Sequence, residues 1–507
     1  MVYPISDYAD RKGDQMAVSD GTLELTWQDL NKTVNRVSHA LHQEGLAAGD
    51  RVAVMAKNST DFAVVSLAIH LNGMSLVPIN WHFTADEAHW LIDNSGASLM
   101  FAGQEQLPVA TEAAQGTACQ TIRVLDGFLQ DIATTMPDGE PAWDTIFAGP
   151  IYYTSGTTGK PKATRLSQSP SSVPIRDALE VIRGNAGLSG LEEDVRHLVQ
   201  GPLYHAGPQN NAITTLLMGA FLAVMRQFDP EETLRLIDKH KISHSMMVPT
   251  MFVRLDRLPD DVKAKYDVSS LKSAPHIAAP MPIDVKERMI DWWGPVLVDA
   301  YGSSEIGVIT RITSEEWLQK KGSVGRPIDA FTIQIVDDDD QELPVREVGM
   351  IYMTSLTHVD LEYLDDPEKT AAAHRGDKQF TLGDMGWLDE DGYLYLSDRR
   401  VDMIISGGVN IYPAEIESEL LANPHIEDVA VFGIPNEEWG QEVKAAVQLR
   451  NGGTPSAALE GEILGWLRDR IAHYKVPKWV DFHDQLPRFS NGKLHRRVLR
   501  DAYWGRD

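Results

Sequence analysis

The stretch Tyr152-Tyr-Thr-Ser-Gly-Thr-Thr-Gly-Lys-Pro-Lys162 carries the densest chemistry of the 507-residue chain. A strand-like lead, Ile151–Tyr153, runs into the hydroxyls of Thr154, Ser155, Thr157 and Thr158, the glycines Gly156 and Gly159, and the lysines Lys160 and Lys162. Small residues let successive backbone N–H groups converge on an anion, and the hydroxyl and ammonium groups add donors and charge. This is the make-up of a phosphate cradle. It is not a Walker A loop, because Gly156 and Gly159 are only three apart and Pro161 replaces the required hydroxyl. A plain flexible turn would need neither the lysines nor so many donors.

Outward from this loop, short apolar runs alternate with amphipathic stretches. Arg51–Met55 reads as a strand, Asp61–Asn72 as a helix and Ser75–Ile79 as the next strand. The pattern recurs with Thr233–Lys239 helical before strand-like Ile242–Val248, and Ile283–Trp293 helical before strand-like Val296–Ala300. Such alternation predicts an α/β fold with largely parallel sheets flanked by helices. Asp337–Asp340, between strand-like Phe331–Val336 and Gly349–Thr354, reads as a solvated hairpin tip rather than a calcium loop. After residue 398 the texture changes. A polar segment, Arg399–Asp402, leads to Gly407-Gly408 and to Pro413 with Glu415 and Glu417, which suit a helix start. Two strand-like runs, His425–Pro435 and Glu442–Leu449, and a helix from about Ala457 to His473 follow. The chain therefore divides into a large multi-lobed N-terminal domain, 1–398, and a small α+β domain, 399–507, with a hinge at 399–402.

Composition narrows the function. Net charge is −27, from 46 Lys+Arg against 73 Asp+Glu, which opposes general binding of nucleic acid or anionic membrane. The last 40 residues reverse the sign, with ten Lys/Arg against five Asp/Glu. One cysteine, Cys119, excludes an intrachain disulfide and a four-cysteine zinc site, and fits a reducing cytoplasm. The most apolar runs, Phe62–Ile79 and Ala212–Met225, are interrupted or short of the ~20 residues a membrane span needs, and read as core.

Further segments follow the loop in order: Pro202-Leu-Tyr-His-Ala-Gly-Pro208, Lys272–Pro280, Asp299-Ala-Tyr-Gly-Ser-Ser-Glu305, Phe380-Thr-Leu-Gly-Asp384, Asp398-Arg-Arg-Val-Asp402, Ile405–Glu417 and Pro487-Arg-Phe-Ser-Asn-Gly-Lys493. Together with the loop they resemble the ordered motifs of the adenylate-forming superfamily. That superfamily includes acyl- and aryl-CoA synthetases, carrier-loading adenylation domains and beetle luciferases. The resemblance runs from about Thr26-Trp27 to Arg497, nearly the whole chain.

The resemblance implies two half-reactions. A carboxylic acid, fatty or aromatic, attacks the α-phosphorus of ATP to give acyl-AMP. A thiol, that of coenzyme A, then displaces AMP. It assigns Lys493, Thr154, Glu305 and His205 as catalytic, with Mg²⁺ on Glu305 and Thr154. The nucleotide would be held by Thr154, Ser155, Gly156, Thr157, Thr158, Gly159, Lys160, Ala278, Ala279, Pro280, Asp299, Ala300, Tyr301, Gly302, Ser303, Ser304, Asp384, Arg399 and Lys493. In this assignment Tyr301 packs on adenine and Asp384 accepts from the ribose hydroxyls. The acyl pocket would be walled by His205, Ala278, Asp299, Ala300, Ile306 and Gly307, with room for a long or aromatic chain and no base for a second carboxylate. Gly407 and Gly408 would line the thiol tunnel. Trp439, Tyr474, Lys475 and Lys478 would receive the coenzyme's adenine and phosphates on the basic C-terminal tail. Leu382, Val401 and Ser304 stand where relatives carry other residues. Two acceptors other than coenzyme A fit the same chemistry: an amine, giving an amide, or a carrier-protein thiol. A luciferase-like oxygenase and a non-catalytic nucleotide sensor are competing readings. The expected partners are small molecules, without nucleic acid or a membrane span, and the sequence leaves room for a homodimer.

Overall fold

Alternation in Arg51–Met55 puts Val52 and Val54 on one face and Ala53 and Met55 on the other, and both faces are buried. A strand buried on both faces belongs inside a helix-flanked parallel sheet. The computed structural model places it there. It describes residues 4–141, 146–154, 162–164, 173–188, 191–277, 281, 283–303, 305–337, 340–357, 360–362, 367–376, 378–396, 404–411, 413–450, 453–487 and 496–505. Arg51–Met55 pairs in parallel with Ser75–Pro78 and Leu99–Ala102, and the latter with Thr121–Val124. The helix Thr60–Leu71 is buried all round, its apolar residues lying on every face. No described helix is long and apolar enough to cross a membrane. Cys119 is buried in the cluster on one side of this sheet, and loss of water pushes its thiol up to about 11.

A second sheet holds the strands that matter for the site. Glu24–Thr26, Met16–Ser19, Phe221–Val224 and Arg196–Val199 lie side by side. Parallel bridges through His244 and Met247 join Arg196–Val199 to Ala274–His276, and that strand pairs in parallel with Leu297–Ser303. Gly307–Thr313 then turns back antiparallel. A third, antiparallel sheet contains Phe331–Val336 and Gly349–Ser355, the expected hairpin. Its connection runs from 337 to 348, longer than the tip expected at Asp337–Asp340, because Glu342 folds back to bridge Val336.

The small domain is a five-stranded sheet built on Ile426–Asn436 and Gly440–Leu449, packed with helices Pro413–Leu421 and Ala457–Arg468. The second helix stops five residues earlier than the sequence suggests, and the chain continues as a short 3-10 turn, His473–Lys475. Pro413 opens the first helix with Glu415 in its first turn, where a carboxylate faces the positive end of the helix dipole.

Candidate active site

Arg196–Val199, the 244–247 segment, Ala274–His276 and Leu297–Ser303 all run the same way. Their carboxyl ends therefore open on one edge of the sheet, where ligands bind in α/β folds. That edge collects His205, Val248, Ile277 and Tyr301. The strand Tyr152–Thr154, which leads into the phosphate-type loop, reaches the same region: the Tyr152 hydroxyl donates to Asn210 Oδ1 at 2.7 Å on helix Ala206–Leu217. Five segments thus meet at one place.

At the nucleotide end, the Tyr301 hydroxyl donates to Asp384 Oδ2 at 2.8 Å, and both residues are buried. Two residues 83 apart in sequence, both expected to hold the nucleoside, are brought together. Glu305 is buried beyond them, at the turn between Leu297–Ser303 and Gly307–Thr313. A Cβ on Gly302 would overlap the carbonyl of Gly307, so this tight turn requires glycine. Gly307 itself pairs with Ser303, whose hydroxyl accepts from the Ile306 N–H. Among the described residues no group of three or more His, Cys, Asp or Glu could cage a metal. Glu305 offers a buried carboxylate oxygen, the kind of hard donor that Mg²⁺ takes beside water and phosphate oxygens.

Two pocket assignments are corrected. Asp299 turns its carboxylate inward, with Lys286 Nζ at 3.2 Å and His276 Nε2 at 3.3 Å. Lys286 is buried, rests 4.5 Å over the Trp317 ring, and is lowered in pKa by loss of water against the pull of Asp299. Burial holds His276 at about 4, so it is neutral and Lys286 is the charged partner. Lys286 and His276 both approach Asp299 Oδ2, on the protein side of the strand. Ile306 is fully buried in the cluster of Tyr301, Ile309 and Phe331, a core residue rather than a pocket wall. Ala300 is half-buried on the strand between.

His205, expected to wall an acyl pocket, stands at the start of helix Ala206–Leu217. His205 occupies its N-cap without a side-chain capping bond. Surrounding protein lowers the imidazole to about 4, so it stands neutral beside the Tyr204 ring, 4.5 Å away. The second and sixth residues of the helix add neighbours the sequence reading missed. Gly207 faces the tips of Met246 and Ile277, and Asn211 donates to Met246 Sδ at 3.2 Å. The spacing of 207 and 211 on a helix that opens at the motif histidine was the available signal.

The small domain sits on this edge. Its hairpin Ile404–Ser406 and Val409–Ile411 turns at Gly407 and Gly408, with φ of +59° and +77°. A Cβ on Gly408 would lie 2.9 Å from Val248, and one on Gly407 would lie 2.5 Å from the Trp439 ring. Both positions need glycine for the turn and for close approach. Trp439 is partly exposed, accepts at its carbonyl from the Gly407 N–H at 2.9 Å, and lies 4.5 Å under the Arg254 guanidinium of the large domain.

The expected basic surface for coenzyme phosphates is corrected. Lys475 is buried and its ammonium is shared by Glu415 at 2.7 Å and Glu87 at 2.8 Å. Tyr474 is half-buried, and its hydroxyl accepts from Asn80 Nδ2 at 3.1 Å. Lys478 is exposed but paired with Glu442 at 2.6 Å, and Arg496 and Arg500 also hold carboxylates. Among the described residues of the tail, Lys475, Lys478, Arg496 and Arg500 are each paired with a carboxylate. Thr154 is placed by backbone only. Ser155, Gly156, Thr157, Thr158, Gly159, Lys160, Ala278, Ala279, Pro280, Ser304, Arg399 and Lys493, with the hinge 399–402, lie outside the described residues.

Known proteins share this layout. The family model for AMP-binding enzymes matches residues 5–363, and the model for their C-terminal domain matches 415–493. A feruloyl-CoA synthase from an Amycolatopsis species is 33% identical over 96% of this chain and 96% of its own. A fatty acid–[acyl-carrier-protein] ligase, ScoC, from Streptomyces coeruleorubidus is 31% identical over 100% and 96%. Among solved structures, the amide bond synthetase McbA from Marinactinospora thermotolerans superposes with a TM-score of 0.84 at 25% identity, covering 99% of this chain and 100% of that one. The o-succinylbenzoate CoA synthetase of Bacillus subtilis, bound with its product analogue OSB-NCoA as a double mutant, gives 0.82 at 26% identity over 98% of both chains. The same synthetase with its acyl-adenylate intermediate OSB-AMP gives 0.67, again at 26% identity over 98% of both. The chain belongs to the AMP-binding enzymes, the adenylate-forming superfamily, in its acyl- and aryl-CoA synthetase branch.

Proposed function

We propose that the protein activates a fatty or aromatic carboxylic acid with ATP and Mg²⁺ to acyl-AMP and pyrophosphate, then transfers the acyl group to coenzyme A. The observation that carries this reading is the Gly407–Gly408 turn seated on Val248 at the carboxyl edge of the sheet. Glycines at that point let a thin thioester arm pass close to backbone. Consistent with this, the chain superposes better on the CoA-analogue complex of the synthetase than on its adenylate complex, 0.82 against 0.67.

In the first step a carboxylate oxygen attacks the α-phosphorus and pyrophosphate leaves. The protein must hold two anions together and stabilise charge on phosphate oxygens. The 154–160 loop and Lys493 would do this by donation, and Mg²⁺, which Glu305 and Thr154 would hold, would supply charge neutralisation. Tyr301 and Asp384 form a joined nucleoside platform, the carboxylate accepting from ribose hydroxyls. Neutral His205 borders the acyl carbonyl without adding a positive charge. In the second step the small domain pivots at 399–402, which withdraws Lys493 and brings in the Gly407 turn. The acceptor thiol gives up its proton, its sulfur attacks the acyl carbonyl, and AMP departs.

An amine acceptor is the second reading. It is favoured by the likeness to McbA, 0.84, and by the absence of an unpaired base among Tyr474, Lys475 and Lys478. The test is incubation with ATP, Mg²⁺ and a panel of aliphatic and aromatic acids, with coenzyme A or with amines, and products read by mass spectrometry. Acyl-CoA with stoichiometric AMP carries the first reading; acyl-AMP that yields amide and no thioester replaces it with the second.

A further inference from the structure

Lys475 ties the small domain to helix Ala85–Ser95 of the large domain through Glu87, 388 residues away in sequence. Glu87 is the third residue of that helix. Its Oε2 accepts from the Thr84 N–H at 2.9 Å and the Thr84 hydroxyl at 3.1 Å, closing a capping box, which leaves Oε1 for Lys475 at 2.8 Å. The carboxylate is thus held by its own helix, with the dipole's positive end favouring its charge. Lys475 in turn keeps Glu415 of its own domain at 2.7 Å and stacks 4.5 Å from the Phe83 ring.

We propose that Glu87 and Lys475 are positioning residues for the acyl-transfer half-reaction, their contact holding the small domain where its Gly407–Gly408 turn meets Val248. The proposal rests on the two-step reading above. Three features suit the contact to a reversible role. When the domains part, Lys475 keeps Glu415 and Glu87 keeps its cap, so neither charge is stranded in the interior. Two carboxylates share one ammonium, and Glu415 Oε2 is buried without a partner, so desolvation offsets much of the Coulomb gain on docking. A second charged contact between the domains, Arg254 to Glu438 at 2.8 Å, leaves Glu438 in solvent and Arg254 partly so, and holds less. The hydrogen bonds Asn80 to Tyr474 and Thr84 to the Arg470 carbonyl flank the buried pair and fix its register.

Glu87→Gln isolates the charge, because glutamine at this position preserves the capping box. Acid-dependent pyrophosphate release should stay within about twofold of wild type, while thioester formation from preformed acyl-AMP and coenzyme A falls about tenfold, within the range of ordinary inter-site coupling. The KM for coenzyme A should not move, since Glu87 does not touch it. Small-angle scattering should shift away from the wild-type profile. Tyr474→Phe should move both readouts the same way and less. Equal losses in both half-reactions, or a thioester step within twofold of wild type, would overturn the proposal. A wild type that makes acyl-AMP but no thioester defeats the coenzyme A reading instead; an unchanged scattering profile in Glu87→Gln then overturns the positioning role on its own.

Discussion

Asp61 is buried in the first turn of helix Thr60–Leu71, and loss of water raises its carboxyl to about 6. The Leu129 N–H, 3.3 Å away, opposes the shift; Asp20 and Asp126 add to it. A folded value above the unfolded one means that the native state binds the extra proton. Its stabilising share is therefore full below about pH 4 and is lost as pH rises through about 6. Asp61→Asn keeps an acceptor for Leu129 and removes the charge. The melting temperature should rise at pH 8 by the equivalent of about 1–2 kcal/mol, and hardly change at pH 4; the shift itself sets a ceiling of about 3 kcal/mol, part of which the helix dipole returns. A thermal melt series across pH checks this. The structure brings Tyr301 and Asp384, each singled out by its own local motif, into hydrogen-bond contact. Single residues were misread where the partner lies far away. Nothing near Lys475 announces Glu87, and nothing near Asp299 announces that Lys286 will reach it from the buried face of a helix. Charge that looks free in a sequence is often consumed by a distant opposite charge.

The Gly407–Gly408 hairpin is the element on which the acceptor step turns. Gly408→Leu puts branched carbon where Val248 already sits, at a φ of +77° that leucine disfavours. Acyl-AMP formation should survive within a few-fold, and thioester formation should drop by about two orders of magnitude, the usual cost of misplacing a reacting group by an ångström or so. Burst measurement of AMP and pyrophosphate with and without coenzyme A separates the two. Elements were the most readable scale. Arg51–Met55 and Ile283–Trp293 coincide with their sequence bounds: the strand is a short continuous apolar run and the helix is amphipathic with a 3.6-residue period. Ile242–Val248 was less faithful: it contributes parallel bridges at His244 and Met247 rather than a full ladder, yet those bridges join the two halves of the sheet. A sheet's continuity depends on its neighbours and is not written in one strand.

For the whole molecule, the two-arrangement scheme makes Lys493 decisive in one half-reaction only. Lys493→Ala should lower acyl-AMP formation about 10²–10³-fold, as loss of one donor to a developing charge does, and leave preformed acyl-AMP converting to thioester at near wild-type rate. Parallel loss of both rates would contradict the scheme. The presence of a large and a small domain was legible from a change of texture, whereas the docking of one domain on the other was not, since it is made by residues such as Asn80 with Tyr474 and Arg254 with Glu438. The single cysteine has a use at this scale. Cys119 is buried, and its thiol, at about 11, is almost wholly un-ionised at neutral pH, so the native fold is silent towards maleimides. Alkylation must wait for the layer around it to open, and its rate becomes a clock for that opening. A substrate or nucleotide that tightens the large domain would slow the clock, and every cysteine introduced elsewhere would be read against a blank background.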